Sequence, residues 1–317
     1  MLFGEHAVVY NRPCLVAAVS QRLFVEVEKN HENKILIDAP QMKISNFIIS
    51  LTDLGKEQPN EVRFVLETVK NFFRECNIES GLKIKTESQF SAEYGFGSSS
   101  AVTVCTIKAL SEIFEVKMTE KEIFDLSYKT VLGIQGVGSG FDIAAAIYGG
   151  VIYFLTGGKK IEPLVVEKIP LIVGHTGVKA STSEIVKAVR VEMEKDLEYY
   201  EKIYNDISQI VEKAKTAMEN SSWPEVGRLM TENQEILRRF KAPSMEYGVS
   251  SEIIEKLVEA CQKADAFGAK LSGAGVGDCI VALGDNKEEI EKAIKEAGGT
   301  PVSVDVDYQG LKIEDKL

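Results

Sequence analysis

The sequence predicts a protein of mixed strands and helices, large enough for two packed domains or one large one. Three observations carry that reading. Residues 81–86 alternate apolar and polar side chains, the pattern of a half-buried strand. Residues 60–78 place Val62, Val65, Leu66, Val69, Phe72 and Phe73 at helical spacing, the pattern of an amphipathic helix. The 317 residues are 44% hydrophobic and 27% charged, an ordinary globular composition that supplies a sizeable core.

The remaining elements follow in order. After a turn signal at Asn11-Arg12-Pro13, residues 14–28 read as one or two strands, and a polar turn at 30–33 leads into the apolar run 35–37. Thr119 and Glu122 have the spacing of a capping box, so a helix begins there. Residues 143–148 read as helix and 151–154 as strand. Gly157-Gly158-Lys159-Lys160 is a surface turn and the candidate boundary between a domain of residues 1–158 and one of residues 159–317. Beyond it, 171–174 reads as a strand and Ser181 or Thr182 caps a helix. Residues 183–220 are charged and helical in character with no internal breaker. Trp223-Pro224 opens a helix to Leu237, another spans 250–264, a last helix covers 288–297 and a last strand 302–306.

The net charge of −11 and the lack of a basic cluster exclude a nucleic-acid surface. Five scattered cysteines without a C-x-x-C pair read as reduced core thiols, with no zinc site. No apolar run is long enough for a membrane span and no signal peptide is recognisable, so the expected setting is cytoplasmic.

Three glycine-rich stretches carry the chemistry. Residues 94–101 read Y-G-F-G-S-S-S-A, between the strand at 81–86 and an apolar helical run at 102–110. Glycines let backbone approach a ligand, the first amides of a helix are unpaired, and the helix dipole favours an anion there. The three hydroxyls can add hydrogen bonds to a phosphate or a ligand for Mg²⁺. The alternative is an ordinary serine N-cap. The stretch is neither a Walker A loop nor a dinucleotide-binding fingerprint. At 135–142, three glycines surround Asp142 at a helix start; it is either a partner for the helix dipole or a carboxylate left open to a substrate hydroxyl. At 268–279, Gly273, Gly275 and Gly277 either present amides as a phosphate nest or turn a hairpin that holds no ligand.

Each stretch alone is a modest signal, but their order is specific. Leu2-Phe3-Gly4-Glu5-His6-Ala7-Val8-Val9-Tyr10, Gly95-Phe96-Gly97-Ser98-Ser99-Ser100-Ala101, Gly138-Ser139-Gly140-Phe141-Asp142 and Lys270-Leu271-Ser272-Gly273-Ala274-Gly275-Val276-Gly277-Asp278-Cys279 together resemble the GHMP kinase superfamily over nearly the whole chain. The opening is most similar to that of mevalonate kinases. The resemblance implies an α+β two-domain GHMP kinase fold. Its N-terminal domain is ribosomal protein S5 domain 2-like and its C-terminal domain ferredoxin-like, with ATP and substrate in the cleft between them. It implies ATP-dependent phosphorylation of the primary hydroxyl of mevalonate in isoprenoid biosynthesis, with ATP and Mg²⁺ as cofactors.

Carried over residue by residue, Gly95, Phe96, Gly97, Ser98, Ser99 and Ser100 match the phosphate loop, with Ser99 at the magnesium-ligand serine. Asp142 matches the catalytic aspartate. Gly273, Ala274 and Gly275 match the third nucleotide motif. Glu5 and His6 stand where mevalonate kinases contact mevalonate, and residues 176–182 resemble their Thr-Gly-x-x-x-x-Thr segment, which adds Thr176. The implied partner is a small molecule, not nucleic acid or a membrane, and a homodimer is compatible with it. Unassigned by the resemblance, Glu5 and His6 would serve packing within the first hairpin.

Three departures qualify the match. The family carries Pro-Gly-Lys just upstream of the Leu-Phe-Gly-Glu-His segment, where this chain opens. Many mevalonate kinases carry a magnesium-binding Glu eleven residues before the aspartate, where Val131 stands here. Residues 135–142 look rather more like phosphomevalonate kinases. Phosphomevalonate kinase is therefore the alternative, with Lys179, Arg12 and Arg22 as candidate cations for a phosphorylated acceptor. A non-catalytic ATP-binding regulator of the same fold is a further alternative, and a related decarboxylase is disfavoured by the Glu5-His6 opening.

Overall fold

A computed structural model describes residues 1–91, 94–241 and 246–314. In chain order its elements are β1 (Pro13–Ala17), β2 (Leu23–Asn30), β3 (Lys34–Ala39), β4 (Ile44–Ser50), α1 (Asn60–Cys76), β5 (Gly81–Ser88), α2 (Ser98–Ile113), α3 (Glu120–Gln135), α4 (Phe141–Tyr148), β6 (Val151–Leu155), β7 (Lys160–Leu164), β8 (Leu171–His175), α5 (Thr182–Lys195), α6 (Leu197–Glu219), α7 (Trp223–Leu237), α8 (Glu252–Lys263), β9 (Gly268–Ser272), β10 (Cys279–Leu283), α9 (Lys287–Glu296) and β11 (Thr300–Val302). The chain divides into two units that interleave along the sequence. The larger comprises Met1–Ser20, Glu93–Gly95 and Gly149–Tyr308, and the smaller Gln21–Ala92, Phe96–Tyr148 and Gln309–Leu317.

The smaller unit is a four-stranded sheet in the order β2-β5-β3-β4, packed on helices α1–α4. β5 runs antiparallel to β2 and parallel to β3, with Ile84 opposite both Val27 and Ile37. Its alternation places Leu82, Ile84 and Thr86 in the core while Lys83, Lys85 and Glu87 face water. α1 buries the apolar stripe read from the sequence, and Phe73 meets Phe114 edge-on at 6.1 Å. It ends at Asn77, whose left-handed backbone returns its N–H to Phe73 O. α3 starts with the expected capping box: Thr119 Oγ1 accepts from the Glu122 amide, and Glu122 Oε2 accepts from the Thr119 amide at 2.7 Å.

The larger unit holds two antiparallel sheets, β1-β6-β7 and β11-β8-β10-β9. β8 and β10 are buried along their whole length. Tyr200 and Tyr204 of α6 are fully buried and meet Phe240, at 5.8 and 6.0 Å between ring centroids. α7 lies close against the start of β9, because Gly227 and Gly268 meet without side chains. A Cβ on Gly227 would fall 2.5 Å from Phe267 Cβ. This close approach sets where β9, and the glycine-rich loop after it, begins.

Most expected elements are present, with four differences. The helical segment expected over 183–220 is two helices. Asp196 leaves helical geometry (φ −149°, ψ 70°) and its carboxylate caps α6 by accepting from the Tyr199 amide, so a good capping residue breaks what periodicity alone reads as continuous. The last strand pairs over Thr300–Val302 and not 302–306; farther on, residues 305–307 cross to Ala18 and Ser20 through backbone bonds, with only an isolated bridge between Val306 and Val19. β4, an edge strand, lacks clean alternation. β7 is mostly polar, and the Gly157-Gly158 turn that precedes it closes a β6–β7 hairpin. No disulfide forms among the described residues; Cys14, Cys261 and Cys279 are buried, and burial pushes Cys105, Cys261 and Cys279 up to about 12. Among the described residues no helix is long and apolar enough to cross a membrane.

The Gly227–Gly268 contact generates a stability prediction. Gly227→Ala should cost about 3 kcal/mol, the scale of overpacking a close contact that has only backbone to give. A urea midpoint equal to that of the unsubstituted chain would show that α7 and β9 can part without penalty.

Candidate active site

The smaller unit places the part of the serine-rich loop from Phe96 onward and Asp142 together. Gly97 is the N-cap of α2, in left-handed geometry (φ 74°, ψ 34°), and no side chain caps the helix. The serine N-cap alternative is thereby removed, since the serines occupy the first helical turn itself. That turn contains no acidic residue. Among the described residues, none hydrogen-bonds the hydroxyls of Ser98 or Ser99. Ser100 is buried, and its hydroxyl donates to Asp142 Oδ2 at 2.6 Å.

Asp142 lies in the first turn of α4, and its Oδ1 accepts the Ile143 amide at 3.1 Å. The carboxylate therefore stands near the positive ends of two helices, α2 and α4, which pack together. Burial raises its pKa above the usual carboxylate range; the Ser100 and Ile143 hydrogen bonds oppose that shift without cancelling it. Gly97 is what lets the loop pass: a Cβ there would lie 3.2 Å from Asp142 Cβ, at a positive φ. Val131, at the spacing where a magnesium-binding Glu stands in many mevalonate kinases, is a core residue of α3. No cluster of three His, Cys, Asp or Glu able to hold a metal occurs among the described residues.

The larger unit gathers the other assigned residues. Gly4 is extended into positive φ (99°) and has no room for a Cβ, which would lie 2.5 Å from Cys14 Cβ. Glu5 is fully buried and pairs with Lys270, itself fully buried in β9. Burial pulls Lys270 below its usual value, and the Glu5 charge partly restores it. The second carboxylate oxygen of Glu5 is buried with no hydrogen-bond partner among the described residues.

His6 follows with φ 58° and ψ −46°, and the Ala7 amide reaches back to Glu5 O at 2.6 Å. This is a γ-turn of the rarer, strained hand. His6 Nε2 lies 2.9 Å from Ala274 O. A carbonyl can only accept, so Nε2 carries the proton, and burial, which lowers the pKa of the ring, keeps it neutral. Nδ1 is left as an acceptor.

The loop after β9 turns through Gly273 (φ 92°) and Gly275 (φ 89°) into β10, so the β9–β10 hairpin of the sequence reading is present. It is also a nest of donors: the amides of Val276 and Asp278 bond to Val249 O and Val178 O, while none of the described residues takes up those of Gly273, Ala274, Gly275 or Gly277. Thr176 is buried at the end of β8. Its hydroxyl bonds the amide and carbonyl of Val178, each at 3.2 Å. His175 Nδ1 accepts the Gly177 amide, and its Nε2 is buried without a partner among the described residues. The Tyr94 ring packs on His175, with centroids 5.2 Å apart.

Two polar residues here carry no role in the sequence reading. Lys270 had a legible signal, a charge inside the otherwise apolar run Ala269-Lys270-Leu271, and Asp278 a weaker one, a carboxylate within a glycine-rich loop. Of the three cations considered for a phosphorylated acceptor, Arg12 is held by Glu201 at 2.7 Å and Arg22 donates to Gly310 O at 3.0 Å. Lys179 is exposed and has no ion-pair partner among the described residues.

Comparison with known proteins extends these local likenesses to the whole chain. The model of the GHMP kinases N terminal domain matches residues 63–150, and that of the GHMP kinases C terminal region residues 214–300. The chain is 36% identical to the mevalonate kinase of Pyrococcus furiosus over 332 aligned positions, covering 100% of this chain and 96% of the relative. It is 35% identical to the mevalonate kinase of Thermococcus sibiricus, covering 99% and 96%. The crystal structure of the Methanococcus jannaschii mevalonate kinase superposes with a TM-score of 0.81 at 25% identity, covering 96% of this chain and 95% of that one. With an α+β architecture in two units, both GHMP domains matched and more than a third of positions shared with a relative from end to end, the chain belongs to the mevalonate kinase family of GHMP kinases.

Proposed function

We infer that the protein is an ATP-dependent kinase that phosphorylates the primary hydroxyl of mevalonate. The single observation that carries this reading is the 35% and 36% identity with mevalonate kinases over 99% and 100% of this chain. The local geometry supports it. The uncapped amides of α2 and the unpartnered hydroxyls of Ser98 and Ser99 fit the phosphates of a nucleotide, because an anion there satisfies donors that the protein leaves open. The open amides from Gly273 to Gly275 offer a second set of donors to the nucleotide.

Asp142 is proposed as the base that orients the acceptor hydroxyl and takes up its proton. A buried carboxylate with a raised pKa is a stronger base than one in water, while two hydrogen bonds hold it in one orientation. Phosphoryl transfer needs chiefly positioning and charge stabilisation, so one such carboxylate with a cradle of donors suffices. Mg²⁺ fits the hydroxyl of Ser99 together with nucleotide phosphates, an oxygen set of the kind this ion accepts; bound there, it would neutralise phosphate charge. Glu5, His6 and Thr176 are proposed as the acceptor's polar contacts. The unpartnered oxygen of Glu5 and the acceptor nitrogen of His6 supply sites that a hydroxy acid's hydroxyls can satisfy.

The test is ADP release with an acceptor panel of mevalonate, phosphomevalonate, homoserine and galactose. Turnover should be confined to mevalonate; preference for phosphomevalonate would transfer the assignment to the phosphorylated acceptor, and ATP binding without ADP release would make the chain a regulator. Asp142→Asn should abolish most of kcat while ATP still binds, and undiminished turnover would reject Asp142 as the base. Because burial raises the Asp142 pKa, the carboxylate becomes protonated, and kcat falls, at a pH above the ordinary carboxylate value of about 3.9. A kcat–pH profile flat through the acid range would contradict a raised pKa in the working enzyme. Ser99→Ala should shift the Mg²⁺ titration of activity to higher concentration; an unchanged titration curve rules Ser99 out as a ligand.

A further inference from the structure

Asp278 stands one residue before β10, in a loop whose glycines are assigned to the nucleotide, yet most of its bonds go to the loop that follows β8. Its carbonyl accepts the Thr176 amide at 2.8 Å, and its amide donates to Val178 O at 2.7 Å. Its side-chain Oδ1 accepts the Ala180 amide at 3.0 Å. One residue thus pins residues 176, 178 and 180, the even-numbered backbone positions of a loop whose tip, 177–179, is exposed. The other carboxylate oxygen, Oδ2, faces Gly95, where an added Cβ would fall 2.9 Å from it. Gly277 completes the approach, because a Cβ there would sit 2.5 Å from Val178 O.

The backbone at Asp278 makes the side chain's presence informative. Its φ is 55°, in the left-handed region where glycine is at ease and most other residues are strained. A glycine would serve the turn alone. Aspartate is among the few residues that enter this region because a short polar side chain can hydrogen-bond locally, and here that bond goes to the 176–180 loop. The backbone cost is offset only if the carboxylate is used.

We propose that Asp278 is a positioning residue for the acceptor: its carboxylate locks the 176–180 loop and so holds Thr176 in place, with its second oxygen close to Gly95. The inference rests on the kinase reading, which makes Thr176 an acceptor contact. It adds a residue that touches neither substrate yet sets how well one of them is held.

Two substitutions separate the carboxylate from the backbone. Asp278→Gly fits a φ of 55° without strain, so the fold is retained, but it frees the Ala180 amide. Asp278→Asn keeps an oxygen acceptor at Oδ1, removes the charge and puts an amide nitrogen in place of Oδ2. Steady-state kinetics with mevalonate should show the acceptor KM raised about tenfold in Asp278→Gly, roughly the worth of one positioned hydrogen bond. Its kcat should stay within about threefold of the unsubstituted protein, and Asp278→Asn should restore the acceptor KM. Amide exchange should show lost protection at Ala180 in the glycine variant and retained protection in the asparagine variant, a readout that needs no turnover. An acceptor KM unchanged in Asp278→Gly, or raised equally in both variants, would overturn the positioning role. Failure of the kinase reading looks different, since the unsubstituted protein would then release no ADP with mevalonate.

Discussion

A charge pair with no exposure to water joins Glu5, near the start of the chain, to Lys270 in β9. Neither partner can be buried alone at acceptable cost, because leaving one charge of such a pair uncompensated costs about 3–5 kcal/mol. The opening segment is therefore fixed to the strand that leads into the Gly273–Gly275 turn. A second tie, from His6 Nε2 to Ala274 O, lands on the turn itself. Between the two ties lies the strained γ-turn at His6, a conformation that costs on the order of 1–3 kcal/mol and persists only where its surroundings over-determine it. The pair and the histidine bond are that over-determination. They also settle chemistry: the ring is neutral, its proton sits on Nε2, and its other nitrogen can only accept.

The smaller unit solves a parallel problem by different means. Asp142 forms no ion pair among the described residues; it is held by a hydroxyl from one helix and an amide from the next. Burial raises its pKa more than these two hydrogen bonds lower it, so it remains basic. Lys270 and Asp142 thus show two uses of a buried charge. Paired, it serves as a fastener; buried and held by hydrogen bonds, it keeps its affinity for a proton.

Legibility followed the range of the physics. Helix α1 announces itself through its apolar stripe, α3 through Thr119 and Glu122, and the three glycine-rich loops through the backbone freedom that only glycine supplies. These are local signals, readable within a few residues. Asp196 was readable in kind but not in effect, since a capping residue inside a charged helical run looks like one more solvated charge until its backbone leaves the helix. β4 and β7 escaped because neither alternates cleanly, and their strand state comes from the neighbours they pair with. Within the candidate site, motif order singled out Gly97 and Asp142, which the fold brings together. The reach of Ser100 to Asp142 and of Lys270 to Glu5 was not legible, because it depends on contacts across 42 and 265 residues of chain.

What remains unsatisfied is informative in the same way. Folding drives buried polar groups to find partners. Among the described residues some open groups stand on the assigned loops, namely the second oxygen of Glu5, the half-buried hydroxyls of Ser98 and Ser99, and the amides from Gly273 to Gly275, while others, such as those of Ser127 and Asn233, lie elsewhere. The strained backbones of His6 and Asp278 stand on the same loops. A chain selected for stability alone would cap α2 with a side chain and place glycine at 278. Here the cap is a glycine, which leaves donors where a phosphorylated nucleotide can complete them, and the turn carries an aspartate, which uses its carboxylate to hold the 176–180 loop.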